Sequence, residues 1–267
     1  MNRILTLLCA SVLAAGIGPA AAFTGSDLRM EETPMNRLDV PSLQRGARTF
    51  VNYCLNCHSA KYMRYNRLTD LGIDLPMIED NLMFATTKVG ETMTVAMSAT
   101  DAKAWFGTAP PDLTVESRVR GPAWLYNYFL GFYKDDAAVT GWNNLVFPNV
   151  AMPHVLWQLS GTNRLVTTEF KSHDEAKAAA LAAKGLVLLA PGKNDTFIVE
   201  TLVPETPGTL SPTEYKAMVS DLVNYLDYMA EPAKNQRITL GLIALLYFVV
   251  LFVFAYWLKR EYWKDVH

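Results

Sequence analysis

Cys54-Leu55-Asn56-Cys57-His58 is the stretch on which the reading of this chain turns. C-x-x-C-H is the attachment pattern of haem c, and each residue type has a physical reason. Two thiols can add across the porphyrin vinyl groups, and their spacing on a helical turn lets both reach one edge of the ring. The histidine that follows then lies beneath the iron and supplies a nitrogen ligand. Other uses of a close cysteine pair fit less well. A structural zinc site needs four ligands, and beside Cys54 and Cys57 the chain beyond its N-terminal apolar run offers only His58, His154, His173 and the tail's His267, with no second C-x-x-C. A thioredoxin-like redox pair does not need the histidine and expects a βαβ setting.

Working outward, the chain begins Met1-Asn2-Arg3, continues with an apolar run from Ile4 to Ile17, and reaches Ala20-Ala21-Ala22. One positive charge, an apolar stretch too short to span a bilayer and an A-x-A site describe a secretory signal peptide, residues 1–22. Cys9 would leave with it. The exported chain then keeps only Cys54 and Cys57, where exported domains ordinarily use cysteines as disulfide staples. A second apolar block, Ile238 to Leu258, contains no charge. Its 21 residues are long enough for a hydrocarbon core of roughly 30 Å. Tyr256 and Trp257 sit where an interfacial aromatic belt belongs, and Lys259, Arg260 and Lys264 follow. Residues 23–237 are therefore expected in the periplasm, 238–258 as a transmembrane anchor in the inner (cytoplasmic) membrane, and 259–267 as a cytoplasmic tail.

Of the 24 Lys/Arg, four (Arg3, Lys259, Arg260, Lys264) lie outside residues 23–237, and of the 26 Asp/Glu two (Glu261, Asp265) do. The remaining 20 basic against 24 acidic residues give a side-chain net charge of about −4. That argues against nucleic acid and suits a basic protein partner. Glu79-Asp80 and Asp135-Asp136 are candidate acidic patches, with solvated surface charge as the ordinary reading.

Residues 24–40 have no period and read as an extended lead-in. Pro41-Ser42 opens a helix with Leu43, Ala47, Phe50 and Val51 on one face, and Gly46 on it would let another helix come close. Residues 59–80 read as short helix and turn, Asp101–Phe106 as a short helix, and Trp124–Phe132 as a buried aromatic helix. Ala137–Gly161 reads mostly as loop. Asp174–Lys184 is an Ala-rich helix, followed by a hairpin of Leu186–Ala190 and Thr196–Val203 around Pro191-Gly192-Lys193-Asn194-Asp195. Ser211-Pro212-Thr213-Glu214 opens the last helix of the exported part with a capping box and a proline in its first turn.

The second axial position on the iron decides what such a haem does. A methionine closes it, raises the reduction potential and makes an electron carrier. Met63, Met77, Met83, Met93, Met97, Met152, Met218 and Met229 are the candidates. Most methionines are core filler. Met152 stands apart, in the Pro-stiffened loop Asn149-Val150-Ala151-Met152-Pro153 far downstream of the attachment site. His154 is its rival.

Cys54 to Leu68, Ala109-Pro110-Pro111-Asp112-Leu113, Ala151-Met152-Pro153 and Ala230-Glu231-Pro232 before a single C-terminal span together resemble the cytochrome c1 family. The resemblance covers most of residues 23–267. It implies a mainly α fold: a class I cytochrome c-like haem domain with crossing N- and C-terminal helices, a small β-hairpin insertion and one C-terminal transmembrane helix. It also implies one haem c held by Cys54 and Cys57, axial ligation by His58 and Met152, a haem wall of Pro110 and Pro111, and propionate contacts from Arg120 and Tyr126. The implied setting is quinol–cytochrome c reductase, a dimeric cytochrome bc1 complex, with electrons arriving from the Rieske iron–sulfur protein and leaving to cytochrome c beside cytochrome b. Such a subunit is no enzyme by itself. At His154 many relatives have a further proline instead. Two other readings use the same motif. One is a membrane-anchored cytochrome c feeding a terminal oxidase, usually with a smaller haem domain. The other is a haem peroxidase or ligand sensor, which needs an open iron.

Overall fold

The helix Val40–Thr49 and the helix Pro212–Ala230 define the architecture, because they cross at a point where no side chain fits. The computed structural model describes residues 27–265; the segment read as a signal peptide lies outside the described residues. Helix α1, Val40–Thr49, starts where the Asp39 carboxylate accepts from the Ser42 N–H. Its last turn runs into a single π-helical turn, Phe50–Cys54, which delivers the first cysteine. A wide turn of this kind inside a helix is a frequent mark of a functional site. Helices α2 (Leu75–Asn81), α3 (Ala99–Phe106), α4 (Glu116–Arg120) and α5 (Pro122–Leu130) follow. After them come the short α6 (Trp157–Ser160) and α7 (His173–Ala182), then α8 (Pro212–Ala230).

Helix α8 opens with the capping box read from Ser211 and Glu214. It packs on α1 at Gly46, where an added Cβ would lie 2.0 Å from the Asp221 carbonyl oxygen and 2.7 Å from the Tyr225 Cβ. Arg45 pairs with Asp221 at 2.6 Å beside the crossing, and the Phe50 and Tyr225 rings meet at 5.6 Å. Leu43, Ala47, Phe50, Val219, Leu222, Tyr225 and Leu226 are all buried in the core that forms around this contact. Burying several large apolar side chains at roughly 2 kcal/mol each is the main force holding the two ends of the domain together.

The sheet is larger than the hairpin read from the sequence. Strands β1 (Asp27–Arg29), β4 (Phe132–Lys134), β5 (Trp142–Asn144), β6 (Gly161–Phe170), β7 (Val187–Pro191) and β8 (Phe197–Pro207) form six strands in the order β1-β7-β8-β6-β4-β5. The hairpin is there as β7–β8, turning through Asn194 and Asp195 at positive φ. Its partner β6 was not anticipated, although it pairs with β8 from Gly161↔Pro207 to Phe170↔Phe197. The lead-in also contributes, since Asp27–Arg29 pairs with β7. A two-stranded piece, β2 (Ala60–Arg64) with β3 (Thr92–Met93), lies within and beyond the segment read as short helix and turn. The Ala-rich α7 covers one face of the sheet through a small cluster of Ala176, Val187 and Val199.

Beyond Glu231, helix α9 runs from Lys234 to Tyr262. It is the one helix among the described residues that is long and apolar enough to cross a membrane. Its 29 residues span about 43 Å, more than the hydrocarbon core needs.

Candidate haem site

Attachment of the motif to the end of α1 closes a tight turn. Both Cys57 N–H and His58 N–H donate to the Cys54 carbonyl, at 3.1 and 2.9 Å, which gathers the two thiols and the imidazole in one place. The three line a cavity of about 1240 Å³, counting the part open to solvent. Pro110, Pro111 and Leu113 form another part of the wall, Glu116 and Arg120 come from α4, and Trp124, Leu125, Tyr128 and Phe129 come from α5. Met152 reaches in from its loop with Val150, and Leu226 of the crossing helix α8 also lines the space. A large apolar cavity with a few polar groups converging on it is what a cofactor site requires.

The Pro110–Leu113 wall is fastened to the motif. Leu113 N–H donates to the Ser59 carbonyl at 2.9 Å, and Lys61 N–H donates to the Asp112 carboxylate at 2.8 Å. The His58 Nδ1 lies 2.7 Å from the Pro111 carbonyl. A carbonyl can only accept, so Nδ1 carries the hydrogen and Nε2 keeps its lone pair. That is the tautomer expected of a metal-ligating histidine, with the other ring nitrogen held by a backbone carbonyl. Burial holds the His58 pKa below its ordinary value, opposed by the Pro111 bond and by the nearby Glu116 and Asp112 carboxylates. The two cysteines are not joined in a disulfide. Burial, reinforced by Cys57, pushes the Cys54 thiol up to about 12. A reactive redox pair depends on a lowered thiol pKa, so the site does not suit thioredoxin-like chemistry.

Of the eight methionines weighed, Met152 alone lines the cavity. Met63 and Met93 are sealed in the core, and Met229 is buried there too. The Tyr128 hydroxyl donates to the Met152 sulfur at 3.3 Å. His154, the rival, is committed elsewhere: it is 3% exposed and its Nε2 lies 2.8 Å from the Ser160 hydroxyl. Burial lowers its pKa to about 4, so the imidazole is neutral at pH 7.

Arg120 is placed at the cavity. Its guanidinium lies 4.7 Å from the Trp124 ring centre and 5.5 Å from that of Phe147, with Glu116 at 3.3 Å from its Nε. Tyr126 is not brought to the cavity. Helical periodicity turns Trp124, Leu125, Tyr128 and Phe129 toward it, whereas the Tyr126 side chain is buried elsewhere, in the field of Glu31. Burial and that carboxylate push its pKa up to about 12. The tyrosine on the cavity side is Tyr128, four residues after Trp124 and stacked on it at 4.9 Å. The i, i+4 pairing of these two aromatics was the available signal. Phe147 lies in a stretch that reads mostly as loop, and Val150 within the Met152 loop itself.

The donor set, the apolar walls and the free Nε2 fit a haem, and together with the fold they define a haem-binding domain of the cytochrome c class carrying one membrane-length helix. The chain matches the model of the Cytochrome C1 family over residues 30–178 and 196–266, and it belongs to that family. It is 44% identical to cytochrome c1 of Allochromatium vinosum, over 100% of this chain and 98% of the relative. It is 39% identical to a protein of Nitrosomonas europaea named ammonia monooxygenase gamma subunit, over the full length of both. Cytochrome c1 of Rhodospirillum rubrum is 27% identical, over 86% of this chain and 84% of the relative. Membership implies a haem c cofactor and makes the chain a haem electron-transfer subunit of an oxidoreductase, the cytochrome bc1 complex.

Proposed function

We propose that the chain carries one haem c through thioethers from Cys54 and Cys57, with His58 and Met152 as its axial ligands. In this reading it takes single electrons from the Rieske iron–sulfur protein and passes them to cytochrome c, within a dimeric complex that also contains cytochrome b. The haem domain, residues 23–237, works in the periplasm after loss of residues 1–22. The helix across 238–258 holds it to the inner membrane, with residues 259–267 in the cytoplasm. The observation that carries the reading is that the Met152 sulfur and His58, with its free Nε2, line one apolar cavity.

When bound, the haem supplies a one-electron iron couple; the polypeptide's tasks are to hold, orient and shield it. The Pro111 carbonyl fixes the His58 ring. Pro110 and Pro111 present a stiff wall without a backbone donor. Arg120 offers a positive charge at the cavity edge for a propionate, already partly neutralised by Glu116. The side-chain charge of about −4 on residues 23–237 favours encounter with a basic acceptor.

Met152→Leu tests the ligation. Haem should remain covalently attached while the methionine–iron charge-transfer band disappears from the oxidised spectrum and the potential falls sharply. Retention of the band would assign the ligand elsewhere, and a wild-type reduced protein that binds carbon monoxide readily would favour the peroxidase or sensor reading. Co-purification with cytochrome b and the Rieske protein separates this role from that of a terminal-oxidase donor.

A further inference from the structure

Met152 lies in a loop, and an axial ligand must be held to within a fraction of an ångström. The residues around the loop show where its rigidity originates. On the entry side the Asn143 side-chain oxygen, in the middle of β5, accepts from the N–H groups of Asn144 and Asn149, both at 2.8 Å. Asn149 itself takes a positive φ of 61°, so the chain turns sharply there. On the exit side stands His154, two residues beyond Met152 and joined to it through Pro153, whose ring fixes φ.

His154 is gripped by two strands of the sheet and by the end of α6. Its ring stacks on Phe132 of β4 at 4.7 Å and 5°, and Trp142 of β5 meets it edge-on at 5.2 Å. Its Nε2 faces the Ser160 hydroxyl, the residue just before β6. The Ser160 hydroxyl also donates to the Gly161 carbonyl at 2.7 Å, which links the ring to the first residue of β6. Gly161 is packed closely against β8: an added Cβ would lie 2.1 Å from the Thr206 carbonyl oxygen. The ring is therefore tied to the start of the β6–β8 pairing, the longest among the described residues, and the arm from it to Met152 is short and stiff.

We propose that His154 is the positioning residue for Met152: it transfers the rigidity of the six-stranded sheet to the ligand loop and so keeps the sulfur within reach of the haem iron. This rests on the Met152 ligation proposed above. The same geometry gives the sheet a role in haem chemistry, since β4, β5 and the start of β6 form the seat of the loop.

Full-length holoprotein with His154→Ala should keep its haem attached but lose the methionine–iron charge-transfer band, bind carbon monoxide when reduced, and show a lowered potential. His154→Phe preserves volume and stacking while removing the Ser160 bond, and serves if the alanine variant does not fold; it should weaken the band in part. Ile78→Val, in the core at α2, lowers stability away from the sheet and the loop and should leave band and potential unchanged. Retention of the band and potential in both His154 variants overturns the proposal, as does an equal loss in Ile78→Val. Met152→Leu run in parallel separates the two failures. If it removes the band while the His154 variants do not, only the positioning role falls; if it changes nothing, the ligation falls and the positioning role with it.

Discussion

The Tyr128 hydroxyl points its hydrogen at the Met152 sulfur across 3.3 Å, inside the cavity that also contains His58. A hydrogen bond to a ligating thioether draws electron density from the sulfur and makes the oxidised iron less favourable. Tyr128→Phe keeps the ring that stacks on Trp124 and removes only that bond. The potential should fall, and the shift is bounded by the net worth of one hydrogen bond, about 1 kcal/mol or on the order of 40 mV for one electron. A redox titration of the full-length holoprotein measures it. A rise in potential would mean that the hydroxyl serves the haem in another way.

Gly46 is the contact between α1 and α8, and its smallness is a steric requirement. A methyl group there would meet backbone, the Asp221 carbonyl at 2.0 Å, which has no rotamer to move away. Gly46→Ala must push the helices apart along the seam that buries Phe50 and Tyr225. Overpacking usually costs about 1–3 kcal/mol, and a clash with backbone belongs at or above the upper end. Denaturant unfolding should show at least that loss. An alanine variant as stable as the wild type would mean that the crossing is looser than the geometry states.

Local chemistry explains which parts of this arrangement are readable in the sequence. Pro41-Ser42 and Ser211-Pro212 announce their helices because helix starts are short-range events, and Gly46 announces a close approach because little else explains a glycine on an apolar helical face; the Asp39 cap is seen only in the structure. The cysteine motif carries its chemistry in five residues. Strand β6 had no such signal: Thr162, Asn163, Arg164, Thr167, Thr168 and Glu169 are polar, and the strand is specified by the register it makes with β8 some forty residues later. Tyr126 and Tyr128 differ only in helical phase, and the phase of α5 is set by which face packs on α8 and the loop. His154 illustrates the same limit. Its isolated reading was a surface histidine or a minor ligand, and only the folded sheet brings Phe132, Trp142 and Ser160 around it.

The start of α8 should respond to acid. The Glu214 carboxylate accepts from the Ser211 hydroxyl at 2.7 Å and from the Ser211 N–H at 2.9 Å, and these bonds hold its pKa below the ordinary glutamate value of 4.5. A carboxyl with a lowered folded pKa stabilises fully above its unfolded value and loses that contribution as the pH falls through the folded one. The stability difference between wild type and Glu214→Gln should therefore be constant from pH 7 to near 4.5 and shrink below it. Ser211→Ala should cost about 1 kcal/mol at neutral pH. A difference that grows on acidification would contradict the capping geometry.

Anchoring by α9 can be tested without disturbing the domain above it. The first turn of α9 is tied to α8 by Lys234 against Asp227 at 3.6 Å and Arg237 against Glu231 at 2.7 Å. A chain ending at Arg237 keeps both pairs and loses the apolar stretch from Ile238 onward, whose side chains are exposed on the described structure. Roughly 20 apolar residues across a bilayer make insertion effectively irreversible, so the full chain should stay in the membrane pellet through alkaline carbonate. The shortened chain should move to the soluble fraction with an unchanged haem spectrum. Protease added outside spheroplasts should digest the haem domain of the full chain and spare a tag placed after the last residue. A full chain released by carbonate would show that α9 does not span the bilayer, and a tag cut from outside would reverse the proposed orientation.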